Sequence, residues 1–140
     1  MRLKLILVCA MVTILPCLVA SSPQVSVDVP CDDFEKYQHI SKEVEVGVGD
    51  SFTVALCSNP TTGFNWSEEA QISDQTLLQQ TDHKFVDPTG GIGCAGAAGK
   101  EMWTFKALKK GTSSVSMEYS RPWEGDEKGA WTFNLTAVIQ

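Results

Sequence analysis

The residue types able to carry out chemistry are thinly spread in this chain. His39 and His83 are its only histidines, and its cysteines are Cys9, Cys17, Cys31, Cys57 and Cys94. A nucleophilic Cys–His pair needs a thiolate held beside a base, and neither histidine lies near a cysteine in sequence. No paired histidine or Cys-x2-Cys spacing offers a metal its ligands. The acids of "EGDEKG" lack the spacing of a calcium loop and read as a solvated hairpin tip. The glycine-rich stretch "GIGCAGAAGK" does not fit a phosphate loop either. Cys94 stands where the first glycine would belong, Glu101 follows Gly99-Lys100 in place of Ser or Thr, and the stretch leads into a strand rather than a helix N-terminus. No catalytic constellation can be assembled, so neither an enzyme nor a cofactor- or metal-binding protein is expected.

What remains chemically pointed is two loops. "CSNPTTGFNW", residues 57–66, places two threonines between Asn59-Pro60 and Gly63, bracketed by a cysteine and a tryptophan. Pro60 and Gly63 fix the backbone of a narrow turn. Thr61 and Thr62 are small enough for a cleft and β-branched enough to stay stiff. "RPWEG" sets a cation, a stiffener and a large aromatic together: Arg121, Pro122, Trp123. Trp123 has two readings, folded back onto the core or held out as an interface anchor, for which Trp and Arg are favoured types.

These loops need a scaffold, and the pattern supplies one. Arg2 and Lys4 precede the apolar run "LILVCAMVTILPCLVA", which is broken by Pro16 and followed by small residues. That order is a secretory signal, with cleavage expected after Ala20 or a residue or two later. A retained anchor is the competing reading, disfavoured because Pro16 interrupts a run near the minimum length for a bilayer. Export to the extracellular space, a periplasm or a vesicular lumen follows, with no membrane attachment after cleavage. Residues 21–40 read as a leader and 41–140 as one domain. Period-two alternation recurs along that domain: Phe52, Val54 and Leu56; Trp103, Phe105 and Ala107; Val115, Met117 and Tyr119; Trp131 through Ile139. Seven or eight short strands with turn-like separators predict an all-β, immunoglobulin-like β-sandwich. The formal charge of −6 provides no basic face for nucleic acid. The loops "SNPTTGF", "DPTGGIGCAGAAG" and "RPWEGDEKG" fall at every second connection, so they are expected at one end of the sandwich.

Taken together, "NPTTGF" at 59–64, the glycine-rich loop leading into "KEMWTFKAL", and "YSRPWEG" at 119–125 resemble the chagasin family of cysteine-peptidase inhibitors over roughly residues 41–140. The resemblance implies an immunoglobulin-like fold and reversible inhibition of papain-like cysteine peptidases by a monomer. It implies that Asn59, Pro60, Thr61, Thr62, Gly63 and Phe64 enter the active-site cleft, with the two threonines against the catalytic Cys and His. Gly96, Ala97, Ala98 and Gly99 would flank one side, and Arg121, Pro122 and Trp123 the other. A wedge that presents no peptide bond in attack geometry occludes the site without being cut. One departure is Ala98, which stands where the family usually has a glycine and would be strained if φ there were positive.

The alternative is a secreted immunoglobulin-like recognition or adhesion module without inhibitory activity. Asn65 and Asn134 lie in Asn-x-Ser/Thr acceptor patterns, and a glycan on Asn65 would crowd the threonine loop. Once a signal is removed, Cys31, Cys57 and Cys94 remain. A Cys57–Cys94 disulfide is expected, because both residues border loops placed at the same end. Cys31–Cys57, Cys31–Cys94 and no bridge are the alternatives.

Overall fold

The computed structural model describes residues 24–88, 98–121 and 130–140. The signal-like run, Cys94, Gly96, Ala97, Pro122 and Trp123 lie outside the described residues.

Among the described residues, nine strands form two sheets. One sheet has the order β1-β3-β7-β6, built from β1 (Val25–Val29), β3 (Ser51–Ser58), β7 (Gly99–Ala107) and β6 (Leu78–Val86). The other has the order β2-β9-β8-β4, built from β2 (His39–Val46), β9 (Trp131–Ile139), β8 (Gly111–Ser120) and β4 (Asn65–Trp66), with β5 (Gln71–Ile72) also on β8. Seven of the strands span five residues or more and two are two-residue pairings. The expected sandwich is the observed architecture.

The alternation read from the sequence is the division between core and solvent. Trp103, Phe105 and Ala107 are fully buried, as are Val115, Phe133 and Ala137, while Lys106, Glu118 and Asn134 face water. Strand β3 departs from the expected single wet face and is buried on both sides from Phe52 to Ser58. Its outward residues are small and lie between longer neighbours: Ala55 is registered with Asp28 on β1 and with Met102 on β7. Strand β6 is weakly patterned because it is an edge. It carries a bulge between Gln80 and Asp82 and a run of polar and charged side chains, both of which blunt edge pairing.

Residues 25–40, expected as a leader, are instead built into the sandwich. Strand β1 pairs parallel with β3, and helix α1 (Cys31–Tyr37) follows; β2 then pairs parallel with β9. The segment therefore runs along the edge of one sheet, crosses the end of the sandwich as a helix, and returns along the edge of the other. The helix is readable in retrospect. Pro30 precedes it, Asp32 and Asp33 stand in its first turn and Lys36 in its last, which suits the macrodipole. Phe34 is its single buried residue and fixes it between the sheets, with ring centroids 5.2 Å from both Trp66 and Trp131.

The disulfide is Cys31–Cys57, with Cα atoms 5.0 Å apart, not Cys57–Cys94. The reason is register. Val29 of β1 is paired with Leu56 of β3, so Cys31 emerges beside Cys57 as soon as β1 ends.

Candidate functional site

The threonine loop leaves β3 at Ser58 and re-enters the second sheet at β4. Pro60–Thr62 form one 3-10 turn, closed by Gly63 in the left-handed region at φ 83°. That φ is the reason for glycine here, since a Cβ disfavours it. Two backbone bonds lock the turn, from Thr62 N to Asn59 O at 3.1 Å and from Gly63 N to Pro60 O at 3.0 Å. Both threonine hydroxyls donate back to Asn59: Thr61 Oγ1 to Asn59 Oδ1 at 2.6 Å and Thr62 Oγ1 to Asn59 O at 2.7 Å. Their protons are thus committed within the loop, and Thr62 Oγ1 also accepts from Phe64 N at 3.4 Å. The whole tip from Pro60 to Thr62 is exposed.

The base of the loop is as ordered as its tip. Asn59 N donates to the Tyr119 hydroxyl at 3.0 Å, and that hydroxyl reaches back to Asn59 O at 3.4 Å. Trp66 Nε1 donates to Cys57 O at 2.8 Å. Beneath lies a continuous aromatic stack in which Tyr119 contacts Phe64, Trp66 and Trp131, with centroids 5.4, 5.0 and 4.9 Å away. Ser58 Oγ donates to Glu101 Oε1 at 2.7 Å, and the other oxygen of this buried carboxylate pairs with His83 Nε2 at 2.9 Å. Burial would be costly for the carboxylate without those partners. His83 is accordingly the partner of this buried carboxylate.

Several expected site residues come together and others take different roles. Phe64 is half-buried, and the Arg121 guanidinium lies over its ring at 4.3 Å. Arg121 Nε also donates to Thr62 O at 3.2 Å, so this residue braces the loop from within the molecule. Ala98 is exposed. Gly99 is the glycine under constraint. It is buried at the start of β7, where a Cβ would fall 2.6 Å from the Val86 carbonyl oxygen and 2.8 Å from the Phe85 ring. Asn65 is exposed and its side-chain amide donates to Gly63 O at 3.4 Å.

The described ends of the three loops lie at one end of the sandwich. Ser58 is registered with Gly99, Val86 with Lys100, Asn65 with Ser120 and Tyr119 with Trp131. Sequence reasoning missed that helix α1 lies at this same end.

A family model described as Chagasin family peptidase inhibitor I42 matches residues 45–137. The chain belongs to the chagasin family. It is 30% identical to Chagasin of Trypanosoma cruzi over 99 residues, covering 69% of this chain and 88% of that protein. Its fold is similar to the crystal structure of the cysteine protease inhibitor EhICP2 from Entamoeba histolytica, with a TM-score of 0.61 at 22% identity over 83% of this chain and 95% of the other. It is also similar to PbICP-C, solved in complex with falcipain-2, with a TM-score of 0.59 at 16% identity over 83% and 99%. Chagasin-family membership sets the chain among peptidase inhibitors rather than enzymes.

Proposed function

We propose that this chain is an exported, reversible inhibitor of papain-like cysteine peptidases, acting through insertion of the 59–64 loop into the active-site cleft. Family membership supports the inhibitory activity, and one observation carries the mechanism: a proline-started, glycine-closed turn whose two threonine hydroxyls are both tied back to Asn59. Such a turn meets a cleft with its side chains already fixed, so little conformational entropy is lost on binding. The carbonyls of Asn59 and Pro60 are engaged in the turn and that of Thr62 by Arg121, which works against a scissile bond lying extended against the nucleophile.

The flanking contacts come from Ala98 and its neighbours on one side and from Arg121, Pro122 and Trp123 on the other. Arg121 has a double role, as internal brace and as part of the enzyme-facing rim. The Cys31–Cys57 disulfide fits export, since such bridges persist in oxidising compartments. Titration of papain with the purified protein tests the reading. Stoichiometric, reversible loss of activity is expected, with the inhibitor recovered uncut. No inhibition at micromolar protein would overturn it and favour a recognition module of the same fold.

A further inference from the structure

A groove of about 400 Å³ runs along the base of the threonine loop. One wall is the loop itself, through Asn59, Thr62 and Phe64. The opposite wall is α1, through Cys31 and Glu35, and the floor includes Tyr119 and Trp131. The groove is therefore continuous with the proposed peptidase-binding edge, and any protein seated on the loop covers it.

Its makeup is unusual for a surface that only meets water. Half-buried Phe64, Trp131 and Cys31 line it, with the Arg121 guanidinium over the Phe64 ring and Glu35 exposed at the rim. The arrangement is held rigidly. Phe34 anchors the helix in the core and Cys31 ties its first turn to Cys57, two residues before Asn59. The helix lies outside the 45–137 stretch matched by the family model.

We infer that α1 is a fourth contact element of the inhibitory edge, and that the groove between it and the threonine loop receives an apolar side chain from the rim of the peptidase cleft. The inference rests on the inhibitory reading above. The occupant is apolar because the floor is aromatic and sulfur-lined, and buried apolar surface is the main favourable term in such a pocket. It belongs to the peptidase because the loop that forms one wall is the element placed in the cleft. In this arrangement α1 adjusts which peptidases bind well, while the threonine loop supplies the contact common to all of them.

Two measurements on the full protein test it, with papain as the probe. In the first, Glu35→Trp fills the groove from an exposed position, and Lys109→Trp adds the same bulk at the far end of the sandwich. Glu35→Trp is expected to weaken inhibition about tenfold or more, with Lys109→Trp within twofold of the unsubstituted protein. In the second, hydrogen exchange of the unsubstituted protein is followed free and bound. Amides of 31–37 are expected to slow on complex formation together with those of 59–64. If the unsubstituted protein inhibits, yet Glu35→Trp inhibits equally and 31–37 exchange at the same rate in the complex, the fourth element is refuted while the inhibitory function stands. If the unsubstituted protein does not inhibit, the functional reading itself fails.

Discussion

Tyr119→Phe removes a single oxygen from the base of the threonine loop. That oxygen accepts from Asn59 N at 3.0 Å, and Asn59 is the residue to which both threonine hydroxyls and the Thr62 amide are tied. The ring is unchanged, so its stacking on Phe64, Trp66 and Trp131 is retained and no cavity opens. The longer return contact at 3.4 Å contributes little. The expected loss is therefore one hydrogen bond to a part-buried amide, about 1 kcal/mol. If the bond's whole effect is to hold Asn59 in its bound position, the same amount reappears in binding, as a roughly fivefold weaker inhibition constant. Denaturant unfolding measures the first quantity, and tight-binding titration of papain measures the second. A variant that loses stability as expected yet inhibits within twofold of the parent would refute the reasoning. Asn59 would then be positioned by the turn's own bonds, and the link to β8 would be irrelevant to inhibition.

Arg121→Ala removes both the guanidinium over Phe64 and the bond to Thr62 O; inhibition should weaken about tenfold with little change in unfolding, and a loss of fold would show the residue to be structural. The Cys31→Ser/Cys57→Ser double variant opens a loop with a sequence separation of 26 and should lose up to about 3.5 kcal/mol of stability on the chain-entropy account, read by denaturant unfolding; unchanged stability would show that β1 and α1 dock without the bridge. The Asp74 carboxyl is held below its ordinary value by the Thr76 hydroxyl and then by the Thr76 amide, so it adds stability above the usual carboxylate range that disappears as pH falls through it. Thermal midpoints taken from pH 6 downward should fall less steeply for Asp74→Ala than for the parent, and parallel profiles would contradict this.

The strands that form the two inner faces were legible because alternation reports burial directly, as in Trp103, Phe105 and Ala107. The threonine loop was legible for a different reason, since Pro60 and Gly63 determine a turn locally. What the sequence hid was long-range. Nothing between Val25 and Tyr37 says that β1 will pair parallel with β3, and without that pairing Cys31 has no visible claim on Cys57. The disulfide was assigned to Cys94 by reasoning about which loops share an end, which is correct for the loops but blind to a helix at the same end. Arg121 was read as an outward anchor because sequence shows its type and neighbours, not the Thr62 carbonyl within its reach. Gly99 shows the same limit: its need for glycine comes from crowding by Phe85 across the sheet, and crowding is a property of the folded pair.

The crossing of the sandwich by α1 also orders assembly in time. Strand β2 finds its partner only in β9, with His39 opposite Thr132 and Val46 opposite Ile139. Phe34 likewise has no slot until Trp66 and Trp131 are both in place. During synthesis β2 emerges well before β9, and it has no strand to dock on until the chain through residue 139 is available. Contacts of such sequence separation are costly to close and form late. Until β2 docks, the open flank of β9 is exposed to other chains. Cys31 and Cys57 need only β1 on β3, at a sequence separation of 26, so their bridge can close before β2 docks and holds the N-terminal segment beside the sandwich.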